Sequence, residues 1–113
     1  VIRFLSCEPL LGPLAQLSFH DIDWVIVGGE SGAHLWKEKF RDRALSKYED
    51  RSWIPREDKI DWVRDIKERC VANDTAFFFK QWGGPTPKTA GRELDGVIWD
   101  EYPRLQQLAA SAE

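Results

Sequence analysis

Methionine is absent from these 113 residues, and cysteine and histidine occur only twice each. Cys7 and Cys70 lie too far apart in sequence to form a metal knuckle or the closely spaced set that an iron–sulfur cluster or zinc requires. Cys7 falls in a strand pattern and Cys70 on a helix's apolar face. Both read as buried free thiols of a cytoplasmic protein, the alternative being a disulfide between them. His20 sits in a polar loop and His34 just after a glycine turn, and one histidine beside Glu30 makes no metal site. No apolar run approaches the roughly eighteen residues of a membrane span, and no signal-peptide pattern opens the chain. A large charge of either sign is also missing. The net charge of -3 offers no electrostatic case for nucleic-acid binding. Neither G-x-G-x-x-G nor the G-x-x-x-x-G-K-[ST] phosphate loop occurs.

What is present suits a small core. Hydrophobic residues make up 42% of the chain, including six Trp and six Phe, enough for one domain over residues 1–113. The chain opens directly in the strand-like VIRFLSC, without an initiator or a polar leader. That start is expected of the C-terminal part of a longer β/α protein.

Local patterns predict the elements. Residues 1–7 form a strand that Glu8-Pro9 ends. Residues 9–20 form a loop with one helical turn, and Trp24 to Val27 form a continuously apolar strand of the kind covered on both faces. Residues 33–56 are charged with alternating signs, so they read as a solvated surface. Within them Leu35, Trp36, Phe40 and Leu45 give a short helix one apolar side. Pro55 introduces the main helix, Glu57 to Ala72. Its Ile60, Val63, Ile66 and Cys70 line one face, with acids in its first turns and Lys67 and Arg69 near its end. Thr75 to Lys80 form a third strand. Asp95-Gly96 joins a small hairpin, because a type I′ turn needs positive φ at both central residues. Leu105 to Glu113 read as a short terminal helix.

The resulting fold class is α/β: a partial β/α barrel-like parallel sheet of about three strands, with crossover helices and a small C-terminal hairpin. Three strands do not close a barrel, so the missing N-terminal portion or a second copy is expected to cover the sheet edges.

Ligands of parallel α/β sheets gather beyond the C-terminal strand ends. The three ends carry Glu8, then Gly28-Gly29-Glu30-Ser31-Gly32, then Lys80-Gln81-Trp82. If the strands are parallel, Glu8, Glu30 and Lys80 converge on one rim. The glycines before Glu30 permit a tight turn or a close approach by a ligand. Gln81 offers a bidentate amide, Trp82 a stacking surface or a lid on the core, and Ser31 a nucleophile without a sequence-placed His or Asp partner. The competing role for the three charges is an ion network that stabilises the turn. No metal ligands are assigned.

The segments RFLSCEPLLGPL, DWVIVGGESG, DWVRDIKERC, FFFKQWG and GRELDGVIWDEYP resemble the C-terminal half of an uncharacterised phage-associated family. It is carried by bacteriophages and bacterial genomes and is distantly similar to radical S-adenosylmethionine enzymes. The matched blocks cover about two thirds of the chain. The resemblance implies a cysteine-rich segment upstream. It implies no cofactor in this chain, but an iron–sulfur cluster and S-adenosylmethionine in the full-length parent. It also marks residues 33–56 as longer than the family's usual passage after Gly32, an apparent insertion. Two functions follow: the substrate-side half of a radical enzyme, inactive alone, or a non-catalytic ligand- or protein-binding module using the same rim.

Overall fold

The computed structural model describes residues 2–30, 32, 43–86 and 88–103. Strands β1 (Phe4–Cys7), β2 (Trp24–Val27) and β5 (Ala76–Phe79) form a parallel sheet in the order β1-β2-β5. Its register aligns Phe4 with Trp24 and Ala76, and Cys7 with Val27 and Phe79. The sheet is open, as three strands must be. The helix α1 (Glu57–Ala72) provides the crossover from β2 to β5, and a two-stranded antiparallel hairpin, β6 (Glu93–Leu94) and β7 (Val97–Ile98), follows β5. The α/β architecture expected from the apolar runs is the one observed.

Side chains alternate across a strand, and here the two faces differ. Leu5, Cys7, Val25, Val27, Phe77 and Phe79 share one face and pack with Val63, Ile66 and Cys70 of α1, together with Leu45, Trp82 and Leu94. Phe4, Ser6, Trp24, Ile26, Ala76 and Phe78 share the other face. Continuous apolar runs predict strands covered on both faces. No described element covers this second one: Phe4 is 59% exposed, and Tyr102, which packs beside Trp24 and Phe78, is 65% exposed.

The helix forms where its pattern placed it. Acids Glu57 and Asp58 occupy its first turn and Arg69 its last, although Arg56 supplies no side-chain cap. Buried Lys59 is satisfied by donating to the Ala44 carbonyl at 3.0 Å, with its ammonium over the Trp62 ring. At the other end the Arg69 guanidinium donates to the carbonyls of Leu14 and Leu17, and the Asn73 amide to that of Phe19. These bonds bind the loop before β2 to the helix.

Both hairpins close on positive-φ pairs. Asp95 and Gly96 have φ of 53° and 78°, as the Asp-Gly signal required. A second hairpin, β3 (Ser46–Glu49) and β4 (Ser52–Pro55), turns on Asp50 and Arg51 at φ 50° and 66°. The sequence reading missed it, because neither turn residue is glycine and the charges masked the alternation. Of the apolar side assigned to a helix here, Leu35, Trp36 and Phe40 lie outside the described residues. Leu45 is buried in the core, one residue before β3. The terminal helix over 105–113 also lies outside the described residues.

The outer edge of β5 is covered. Phe79 donates its amide to the Trp99 carbonyl, Glu101 donates to that of Phe77, and Phe77 donates to the Glu101 carboxylate. Arg64 on α1 makes a double contact with Asp95 at 2.9 and 2.5 Å, fastening the hairpin turn to the helix. The outer edge of β1 has no backbone partner among the described residues.

Candidate functional site

The sheet pairing continues past the strand ends, and its details decide which side chains meet. Gly28 donates to the Cys7 carbonyl, so it follows the register and stands opposite Glu8. Pro9 has no N–H, and Leu10 supplies the next donor, to the Gly28 carbonyl. On the other side Lys80 donates to Val27, in register, but Gly29 donates to the Gln81 carbonyl. That second bond skips a residue of the β5 strand. The extra residue is a β-bulge, which puts two consecutive side chains on one side. Lys80 and Gln81 both reach the open face beside Gly28, while Trp82 swings to the covered face.

The rim is therefore a row: Glu8, Gly28, Lys80. Neighbouring strands lie roughly 4.8 Å apart, so Glu8 and Lys80 are two strand spacings from one another. Their side chains close that gap across Gly28, forming an ion pair of 3.1 Å. A Cβ on Gly28 would stand 3.2 Å from Glu8 Cγ and 3.1 Å from Gln81 Nε2, so the missing side chain lets Glu8 and the Gln81 amide close in over the glycine. Ser6, one pleat back on the same face, donates to Glu8 Oε1 at 3.5 Å. Gln81 Nε2 donates to the Gly29 carbonyl at 3.0 Å.

Glu30 follows two residues after Gly28, beyond the end of β2, and no bond or ion pair joins its carboxylate to Glu8, Lys80 or Gln81. Its Oε2 is buried and accepts no hydrogen bond. Lys80, which could pair with either acid, pairs with Glu8. The anticipated triad is thus a pair plus one carboxylate with an unserved oxygen.

Trp82 is only 2% exposed. Its ring packs edge-on against Phe79 and its indole N–H donates to the Glu93 carbonyl at 2.8 Å, so it lines the core behind the rim. Of the two roles open to it, the lid on the core is the one its position serves. Ser31 lies outside the described residues, as does His34. Ser6 and the gap at Gly28 were not singled out as parts of the charge row. Period-two alternation along β1 and β2 carries that signal once the two strands are aligned.

The thiols are chemically quiet. Burial, then the neighbouring Glu8 charge, raises the Cys7 pKa. Burial, then Glu101, pushes Cys70 up to about 12. Both are free cysteines. Among the described residues no group of three or more His, Cys, Asp or Glu is placed to hold a metal ion, and no helix is long and apolar enough to cross a membrane.

No curated protein and no solved structure matches the chain. One family does, over residues 1–48 and 54–103. This corrects the expected insertion at 33–56. The residues left outside the match are 49–53, the tip of the β3–β4 hairpin and the first residues of its return strand. The match spans nearly the whole described fold, rim included, and the chain belongs to DUF5131, a family of proteins of unknown function.

Proposed function

We propose that the rim at the C-terminal ends of β1, β2 and β5 is a small-ligand site, and that the chain is the C-terminal part of a longer cytoplasmic β/α protein. Glu8, Glu30, Lys80 and Gln81 are its polar groups. Ser31 stands beside Glu30 in sequence, and Trp82 backs the rim from the core. The observation that carries this reading is the buried Glu30 oxygen without a donor. A structural ion network satisfies its members, because a buried carboxylate oxygen left unpaired lowers stability. A site that awaits a ligand leaves one member unsatisfied; Arg92 Nε and Trp99 Nε1 are buried and unpaired as well, so the Glu30 oxygen counts through its place just after β2. The test needs no ligand: Glu30→Gln should hold or raise the urea midpoint. A clear loss of stability would make Glu30 a structural residue and remove the basis of the reading.

A second reading makes this rim the substrate side of a radical S-adenosylmethionine-like enzyme. It is favoured by the open parallel sheet with polar groups at its C-terminal ends. The described residues do not suit an iron–sulfur cluster: Cys7 and Cys70 are single, shielded thiols with raised pKa values. Any cluster would be held by the parent's other residues. Iron and acid-labile sulfide should be measured in the anaerobically purified parent, with this chain as control. Stoichiometric amounts in the parent alone support this reading, and none after reconstitution removes it.

A further inference from the structure

We infer that residues 104–113 dock as a short amphipathic helix on the β1 side of the second sheet face, over Phe4. Phe4, Trp24 and Phe78 make an aromatic strip across that face, with Phe4 and Phe78 each 6.4 Å from Trp24. The strip is not evenly bare. At its β5 end the Arg92 guanidinium lies 5.3 Å from the centre of the Phe78 ring, and Tyr102 packs against Phe78 and Trp24. At its β1 end Phe4 is exposed.

The path of the chain after β7 accounts for this difference. Trp99 and Glu101 run along the outer edge of β5, bonded to Phe79 and Phe77. The chain then turns over the face. The Glu101 carbonyl accepts from the Trp24 indole at 2.9 Å, and the Tyr102 ring meets Phe78 of β5 and Trp24 of β2. On that heading β1 comes next, one strand spacing of roughly 4.8 Å further. Pro103 is the last described residue, and residues 104–113 lie outside the described ones.

Their sequence suits the uncovered end. Leu105, Leu108, Ala109 and Ala112 recur at three, four and seven, which lines one side of a helix and leaves Gln107 on the other. Ten helical residues extend about 15 Å, enough to pass over a strip three strands wide. Leu105 stands three residues beyond Tyr102, and a chain reaching up to about 3.3 Å per residue brings it to Phe4. So short a helix does not hold in water by itself and forms by laying its apolar side on a surface. Phe4 is such a surface, at the point where the segment begins. Glu8 is four residues along β1, about 13 Å from Phe4, so a helix there leaves the rim clear, and the inference stands whether or not the rim binds a ligand.

The test is NMR on the isotopically labelled chain. The expected result is helical shifts over residues 105–112 and nuclear Overhauser contacts from the Leu105 and Leu108 methyl groups to the Phe4 and Tyr102 rings. Leu105→Asp combined with Leu108→Asp should abolish those contacts and move the Phe4, Trp24 and Tyr102 ring signals, leaving Phe77 and Phe79 in place. Removal of residues 104–113 should move the same three rings, and Gln107→Lys should move none. Coil-like shifts without contacts to Phe4 would overturn the inference. Phe4 signals that change with protein concentration, alongside a dimer in sedimentation, would overturn it by giving the face to a second copy. Changes that spread to Phe77 and Phe79 would overturn it too, since the segment would then support the covered core.

Discussion

The two faces of one sheet are built from the same strands and the same residue types, yet they meet different surroundings. On one face Phe77 and Phe79 are fully buried under α1. On the other, Phe78 sits between them in sequence and is only partly covered, with Phe4 and Tyr102 exposed beside it. β-propensity and hydrophobicity do not separate these faces. The helix does, by covering one and leaving the other. The covered face holds the fold together, and the open face carries both the aromatic strip and the charged rim.

The largest effect that sharpens this contrast is a pair of truncations. Phe79→Ala should cost about 3–5 kcal/mol by urea denaturation, since it removes a fully packed ring. Phe4→Ala should cost about 1 kcal/mol, the worth of its tilted contact with Trp24. Similar losses from both would mean that the open face is also packed in solution, and the comparison would break. Next comes Glu30→Gln, expected to raise stability by about 1 kcal/mol, because a neutral amide is easier to bury without partners than a carboxylate.

The rim pair should be weaker still. A double-mutant cycle of Glu8→Gln and Lys80→Met should report a coupling of about 0.2–1 kcal/mol, falling as salt rises, because Lys80 is half-exposed. In a Gly28→Ala background the coupling should shrink, since the added Cβ stands 3.2 Å from Glu8 Cγ and makes that side chain shift. An undiminished coupling would show that the pair does not depend on the glycine gap. The smallest effect is on pH dependence, away from both faces. The hydrogen bond from Arg64 holds the Asp95 carboxyl below its ordinary 3.8. A depressed carboxylate stabilises the fold above its unfolded pKa, and that stabilisation fades as pH falls through the lower folded value. Asp95→Asn should therefore flatten the acid limb of the stability–pH curve below about pH 4. An unchanged limb would mean that the contact contributes nothing in water.

Much of this was legible beforehand. The spacing of Ile60, Val63, Ile66 and Cys70 marked the helix, Asp95-Gly96 marked the hairpin, and the apolar runs marked three parallel strands with charged ends. The β3–β4 hairpin was not legible, because Asp50 and Arg51 hold positive φ through their tertiary setting and not through glycine. Trp82 followed Lys80 and Gln81 in sequence and looked like a third rim residue, and the bulge sent it into the core.

The division follows the range of the forces involved. Periodicity, turn chemistry and chain polarity act over a few neighbouring residues, so the amino-acid order alone determined the elements and which strand ends carry charge. Register, bulge and the gap at Gly28 exist only once one strand hydrogen-bonds to another. The tertiary structure alone decided that Glu8 pairs with Lys80 and that Glu30 keeps an oxygen without a donor.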